Sequence, residues 1–373
     1  MEAVNPHLVR IHFKEPFPDF LEYTLPGAGS ILWVVPKKYV EKVGDAGFKK
    51  QPIGAGPYKF VEFVAGVKLV GEAFEDYWRK VPSVKRMEFY TVTELATRLA
   101  MLRRGETDLS TLIIDIFLED AKKDPKLKVY YPISTSRWVL HIGPQSDPKS
   151  PWSDPRVRKA ASLSIDRQTL VDVHAGGAKP ISSLGMEGDP MAVVFPPDPY
   201  DPVKAKKLLA EAGYPKGFHG GKYYPYDGPF WPQGEMIANY LKAVGITLDT
   251  VLMERPSWTA HRSSGKLKGA LYTETDGQPT IGGCLSYLLG TTSMGSHADV
   301  QALWSQYQRE TVPKLRKDLI AKIQAIIYER MMAIPFRSSV SPSAVTLRVK
   351  GTPYKIQPDI WFPAPFEDLE LVQ

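Results

Sequence analysis

The residues able to do chemistry in this chain are scattered rather than clustered. His12, His141, His174, His219, His261 and His297 form no H-E-x-x-H, and no two stand at the helical spacing that would offer paired imidazoles to a metal. Gly27-Ala28-Gly29 and Gly54-Ala55-Gly56 do not continue into G-x-x-G or G-K-[ST], so neither reads as a phosphate cradle. No G-x-S-x-G elbow occurs, and no pair of carboxylates is singled out for acid–base work. The single cysteine, Cys284, rules out an intrachain disulfide and any multi-cysteine metal site, and reads as a small buried hydrophobe. No catalytic residue, metal site or cofactor is expected.

Aromatic residues carry more information. Trp138, Trp152, Trp231 and Trp258, with Tyr223, Tyr224, Tyr226, Tyr272 and Tyr287, fall in the middle of the chain. Several sit in the run Tyr223-Tyr224-Pro225-Tyr226-Asp227-Gly228-Pro229-Phe230-Trp231, a density that a helix core does not need. Packing of loops by aromatic stems explains such a run. So does a cleft walled by flat apolar faces with a few polar groups, the usual makeup of a small-ligand site.

The elements that must hold these residues are legible from local signals. Tyr58 to Val64, a turn at Ala65-Gly66, and Val67 to Val70 read as a hairpin. Strands are also expected over His7 to Phe13, Met87 to Tyr90, Lys128 to Tyr131, Arg137 to Ile142, Ile246 to Met253 and Ala333 to Val340. Helices are expected from Asp19, which would cap a turn to Tyr23, from Pro36 to Lys42, and from Thr93, as N-cap, to Arg104. Asp154-Pro155 and Asp201-Pro202 each open a helix, Arg167 to His174 forms another, and Gly213 and Gly245 act as stops. Met236 to Val244 and the segment from Leu315 to Met331 carry helical apolar stripes. Residues 178 to 199 read as a long surface loop. Helix–glycine–strand order makes this an α/β chain.

Length and composition set outer bounds. The 373 residues exceed one usual domain, and 43% hydrophobic with 24% charged is ordinary for a soluble globular protein. Net charge is +6, but the basic residues form no compact run with interleaved aromatics, so nucleic acid is not an expected partner. No 18-residue apolar run is present. Residues 1–7 lack a charged segment leading into an apolar one, so no signal peptide is expected within this sequence.

Five ordered blocks resemble one known family. Gln51-Pro52-Ile53-Gly54-Ala55-Gly56-Pro57-Tyr58, followed by Asp76-Tyr77-Trp78, resembles the P-x-G-T-G-P-Y and N-x-x-Y-W signature of the family 5 extracellular solute-binding proteins, the peptide-, dipeptide- and nickel-binding components of ABC importers. Thr97-Arg98, Leu102 and Gly105-Glu106-Thr107-Asp108 are similar to its T-R-x-x-x-L-x-x-G-E-x-D. Asp154 to Ala160 with Ser164-Ile165-Asp166-Arg167 is similar to D-x-R-V-R-x-A-x-x-x-A-I-D-R, and Tyr200 to Leu209 with Ala212-Gly213-Tyr214 matches its Y-D-P block. Leu241 to Ile246 and Ile334-Pro335-Phe336 resemble later landmarks. Ala55, Phe74 and Ser164 depart from the pattern, which bears on local packing more than on class. These blocks read as fold determinants; Arg156, Arg158, Asp166 and Arg167 are expected to form ion pairs between helices.

The resemblance implies a two-lobe, periplasmic-binding-protein-like α/β fold of the class II type. Residues 1–125 would be part of lobe I, 126–339 lobe II, and 340–373 a return to lobe I. The early strands of lobe I have no counterpart, so lobe I is expected to be incomplete, less stable than lobe II, and completed by a missing N-terminal segment or another chain. The implied function is binding of a peptide or similar small solute, without chemistry, by closure about crossovers near residues 125–132 and 336–342. The implied partner is a membrane permease of an ABC transporter, and the implied location is periplasmic or extracellular. Asp276 would pair with a peptide α-amine and Tyr272 would stack, with Trp138 and Trp231 as further contacts and Arg337 as a carboxylate partner. Asp276 before Gly277 also reads as an ordinary turn residue. A scaffolding or regulatory module with this fold, and a hydrolase built on it, remain as other readings.

Overall fold

The computed structural model describes residues 1–20, 34–131, 136–174, 177–226, 230–278, 280–350 and 365–372. The expectations for Tyr23, Gly27-Ala28-Gly29, residue 132 of the first crossover and residues 227–229 of the aromatic run lie outside the described residues, as does the Asp276 side chain. The chain divides into two compact units. The first comprises Met1–Gly29, Thr135–Val171 and Lys179–Ser338, and the second Ser30–Ser134, Asp172–Ala178 and Ser339–Gln373. Residues 1–29 thus fall with the unit that contains 179–338, whereas the sequence grouped them with 30–125.

In chain order, the first unit opens with the hairpin β1 (Glu2–Asn5) and β2 (Leu8–Arg10). The second unit follows with α1 (Lys37–Lys50), β3 (Tyr58–Val64), β4 (Lys68–Ala73), β5 (Arg86–Tyr90), α2 (Leu95–Arg103), β6 (Leu109–Ser110), α3 (Asp115–Lys123) and β7 (Leu127–Tyr130). The chain then returns through β8 (Arg137–Ile142), α4 (Pro155–Ser164), α5 (Arg167–His174), α6 (Pro202–Glu211), β9 (Phe218–Tyr224), α7 (Trp231–Ala243), β10 (Ile246–Thr250) and α8 (Arg255–Ser263). It continues through β11 (Leu271–Asp276), α9 (Ile281–Thr291), α10 (Ala298–Arg309), α11 (Pro313–Glu329) and β12 (Ala333–Ser338). The second unit is completed by β13 (Ser343–Thr346), β14 (Val349–Lys350) and β15 (Glu370–Leu371).

The first unit is built on a five-stranded sheet of order β10-β9-β11-β8-β12. β10, β9 and β11 run parallel, and β8 is antiparallel to both of its neighbours. Helices cover this sheet and bury two apolar clusters. One joins Trp138, Leu140, Val157, Leu209, Ile237, Leu241 and Phe336, and the other joins Val139, Leu285, Leu288, Trp304, Ile320 and Ile323. β8 and β12 are buried along their whole length, the mark of strands covered on both faces.

Local chemistry sets the helix starts. Asp154 and Asp201 accept hydrogen bonds from the Arg156 and Lys204 amides, with Pro155 and Pro202 in the first turn. Thr93 does not cap α2, whose N-cap is Glu94 without a side-chain bond. Asp19 lies in a 3₁₀ turn, Pro18–Phe20, and its carboxylate accepts from Arg316 and Tyr307. Among the described residues, Arg158 and Arg167 make none of the expected interhelical ion pairs. Arg158 donates to the carbonyls of Trp152, Ser153, Arg330 and Met331, and Arg167 to those of Ser162, Ile181 and Pro335. Burial pulls each guanidinium down to about 10. Each stitches irregular backbone to the helices, satisfying carbonyls that no regular ladder reaches.

The second unit holds a meander, β3-β4-β5, and a three-stranded sheet of order β6-β13-β7. β13 is antiparallel to both neighbours, and β14 pairs with β15. Its buried core is Leu99, Leu102, Ile113, Leu118, Ala121, Leu127 and Ala344. Among the described residues no helix is long and apolar enough to cross a membrane.

Candidate functional site

Three adjacent strands of the first unit, β11, β8 and β12, gather most of the residues singled out in the sequence. In register, Thr275 lies opposite Trp138 and Trp138 opposite Arg337; one step along, Asp276 faces Arg137 and Arg137 faces Ser338. Trp138, 2% exposed, is ringed by Tyr226 at 5.4 Å edge-on and Phe230 at 4.6 Å. The Arg337 guanidinium, also 2% exposed, lies over the Trp138 ring at 4.7 Å and donates from Nε to Gln233 Oε1 at 2.6 Å. A cation over a desolvated indole gains electrostatic energy that it would not gain in water.

Trp231 is not in a loop. It is the first residue of α7, with Pro232 behind it, so the aromatic run ends as a helix start. That turn places Gln233 beside Arg337. Tyr223 and Tyr224 belong to β9, a strand the sequence reading missed because Gly220 and Gly221 interrupt its pattern. At Gly220 a Cβ would stand 2.8 Å from the Leu248 methyl and 3.1 Å from Trp152, so a side chain there would make Leu248 move.

Several polar atoms here have no hydrogen-bond partner among the described residues: Trp231 Nε1, Gln233 Nε2, Trp258 Nε1 and Thr275 Oγ1. Buried polar groups without partners are costly, and three of these lie close to the aromatic residues: Gln233 against Arg337, Thr275 opposite Trp138, and Trp258 edge-on to Tyr226.

Tyr272 is 1% exposed and stacks on His141 at 4.7 Å. It covers a buried ion cluster that sequence reasoning did not find. Glu274 accepts two bonds from Arg262, at 3.0 and 3.1 Å, and one from Tyr287 at 3.1 Å, while His141 Nε2 stands 3.1 Å away. Arg262 also lies over the rings of Tyr272 and Tyr287. Burial alone would raise the Glu274 carboxyl, but His141 and Arg262 outweigh it and hold it below the ordinary carboxylate value. Burial pushes the Tyr272 hydroxyl up. The one signal available in the sequence was an acid in the middle of an alternating strand, which must find a partner if the strand is covered on both faces. Among the described residues no group of three or more histidine, cysteine or acidic side chains is placed to hold a metal.

Comparison with known proteins places this arrangement. Residues 1–294 match the model of the bacterial extracellular solute-binding proteins, family 5, middle region. Heme-binding protein A of Haemophilus influenzae is 24% identical over 94% of this chain and 66% of its own length. The glutathione-binding protein GsiB of Salmonella choleraesuis is 32% identical over 58% of this chain and 41% of its own length. This chain therefore spans less than two thirds of these relatives. Among solved structures, DppA of Helicobacter pylori in complex with the peptide STSA superposes with a TM-score of 0.79 at 23% identity, covering 96% of this chain and 71% of that one. NikA of Brucella suis in complex with Fe(III)-EDTA gives 0.81 at 21% identity, covering 100% and 78%. The mixed α/β fold is thus that of periplasmic binding proteins. By the extent of the family match, this chain belongs to the family 5 bacterial extracellular solute-binding proteins.

Proposed function

We propose that this chain is the solute-binding part of an ABC importer, taking a peptide or similar small solute between two lobes that close over it and delivering it unchanged to a membrane permease. The reading places it outside the cytoplasmic membrane, in the periplasm or at the cell surface, with lobes expected at residues 1–125 plus 340–373 and at 126–339, save that residues 1–29 group with the unit holding 179–338. The observation that carries it is the wall of Trp138, Tyr226 and Phe230 with Arg337 laid over the Trp138 ring and an unpartnered donor at Gln233 alongside. Flat apolar surface with a few fixed polar groups suits a small solute and supplies no nucleophile or paired acid and base. Arg337 is assigned to a solute carboxylate and Asp276 to an amine, so the favoured ligand is zwitterionic, as a short peptide is. Tyr272, stacked beneath on His141, would contribute by backing this wall. The peptide and glutathione named for relatives fit that chemistry.

Titration calorimetry with a pool of di- to tetrapeptides and with glutathione tests this. The expected result is saturable binding that weakens roughly 10- to 100-fold in Arg337→Met and in Asp276→Asn, the loss of one charge-assisted hydrogen bond. A folded sample that takes up none of these solutes overturns the transport reading and favours a scaffolding module. Turnover of a peptide or ester substrate would overturn the non-catalytic reading.

A further inference from the structure

α7 starts where the strands of the five-stranded sheet end. β11 finishes at Asp276, β8 begins at Arg137 and β12 finishes at Ser338, and these three residues are neighbours in register. β9 runs parallel to β11 and leads into α7. Gly234 of α7 packs on the exit of β9, where a Cβ would strike Pro225 and stand 3.3 Å from the Tyr223 hydroxyl. The first turn of α7 therefore sits at the carboxyl end of the parallel strands, the end at which open α/β sheets bind their ligands. Phe230 and Trp231 are half-buried and Pro232 is exposed, so this turn reaches the surface.

The unpaired polar atoms of the turn are of one kind. No side chain caps it at Phe230, so it keeps the partial positive charge of a helix start. Trp231 Nε1 and Gln233 Nε2 have no hydrogen-bond partner among the described residues, and both are donors. Chemistry fixes which way the Gln233 amide is turned. Arg337 Nε can only donate, so the atom that meets it at 2.6 Å is Oε1, and Nε2 is left for another partner. Gln233 is 1% exposed, so bulk water does not compensate that donor. Side chains on a helix lean toward its N-terminus, which carries this amide back over the uncapped turn.

We propose that Gln233 reads the carboxylate of the solute. One carboxylate oxygen accepts from Nε2 at the start of α7, beside the Arg337 guanidinium, so that a free acid is held in preference to its amide. The inference rests on the peptide reading above and adds to it the residue that makes the choice. A carboxylate consists of acceptors and meets unpaired donors at a positive helix end. A terminal amide brings N–H groups of its own to a turn whose unpaired atoms are already donors. Sites built around a buried hydrogen-bonding group reject the analogue that cannot pair it far more strongly than an apolar pocket rejects a change of size.

The test is calorimetric titration of the full 373-residue chain, as wild type and as Gln233→Glu, with a pool of di- to tetrapeptides and with the same pool amidated at the C-terminus. Glutamate keeps the acceptor for Arg337 and removes only the donor. Wild type is expected to bind the acids about tenfold more tightly than the amides, and Gln233→Glu to lose that preference. A second measurement needs no variant to bind. In wild-type chain carrying isotope-labelled glutamine, the Gln233 side-chain N–H signals are expected to shift with the acids and to stay in place with the amides. Acids and amides bound equally by wild type, or a preference unchanged in Gln233→Glu, overturn the role of Gln233 and leave the peptide reading standing. Gln233 signals that the acids do not move overturn it as well, even where the variant loses the preference, since Gln233 would then act only by holding Arg337. Wild-type chain that binds neither pool overturns the peptide reading itself, and this inference with it.

Discussion

Glu274 shows how much one residue can hold. It joins β11 to α8 through Arg262, to α9 through Tyr287 and to β8 through His141. Removing one member of a buried, hydrogen-bonded charge cluster leaves the others uncompensated, so Glu274→Gln is expected to lower unfolding free energy by about 3–5 kcal/mol, measured by urea denaturation at neutral pH. The same cluster has an acid limb. The folded-state value of Glu274 lies below its unfolded value, so the ionised carboxylate contributes its full stability above the unfolded value of about 4.3. That contribution is lost as pH falls below it toward and through the folded value. Between pH 5 and 3 the wild-type chain should therefore lose stability more steeply than Glu274→Gln. Parallel pH profiles for the two would show that the cluster is not ionised as described. Arg337 belongs to the same scale, since a guanidinium over an indole with an amide partner is a geometry that lysine cannot reproduce.

At the scale of elements, glycine decides where strands can begin. Gly217 precedes β9 with φ +80, and a Cβ there would stand 2.0 Å from the carbonyl oxygen of Gly245, which itself precedes β10 with φ +103. The two parallel strands start side by side because both turns lack side chains, and Phe218 N donates to Gly245 O at 3.0 Å. Gly217→Ala is expected to cost about 1–3 kcal/mol from the backbone conformation alone, with a further loss from the clash. A Tm unchanged from wild type would show that the turn relaxes freely. The hairpin β3–β4 was legible, its first strand to the residue and its second, expected over Val67 to Val70, shorter than the observed Lys68–Ala73, because Ala65-Gly66 and its flanking alternation are local signals; Gly66 has φ +72 as a turn glycine should. By contrast, α3, α8, α9 and α10 went unread. In α9, Ile281, Leu285, Leu288 and Leu289 do share one helical face, but Gly282, Gly283 and Gly290 within an eleven-residue segment hide the helix from a propensity reading.

At the scale of the molecule, two units have separate cores of unequal size. The first buries two large clusters around its five-stranded sheet, while among the described residues the second buries one smaller cluster, around Leu99, Leu102 and Leu118, and leaves Phe63, Leu69 and Phe89 exposed in one cross-strand row of its meander. Fewer buried apolar groups mean a lower local opening free energy. Exchange in β3 to β7 is therefore expected to outpace that in β8, β11 and β12, and limited proteolysis to cut first within residues 30–134. First cleavage inside the five-stranded sheet would contradict this ordering.

What the sequence determined by itself was local and collective. Asp-Pro helix starts, glycine stops and the turn at Gly66 act over a few residues, and the ordered blocks from Gln51 to Phe336 were enough to indicate the family and its α/β class. What the tertiary structure decided was which side chain meets which. Gln233 and Arg337 are 104 positions apart, and Arg158 and Met331 are 173 apart. Hydrophobic period and capping carry no information about partners so distant, because these are set only when sheet register and helix packing bring the segments together. That is why Trp138 and Arg337 were separate candidates in the sequence and one stacked pair in the fold, and why Arg158 and Arg167, expected beside carboxylates, hold backbone carbonyls instead.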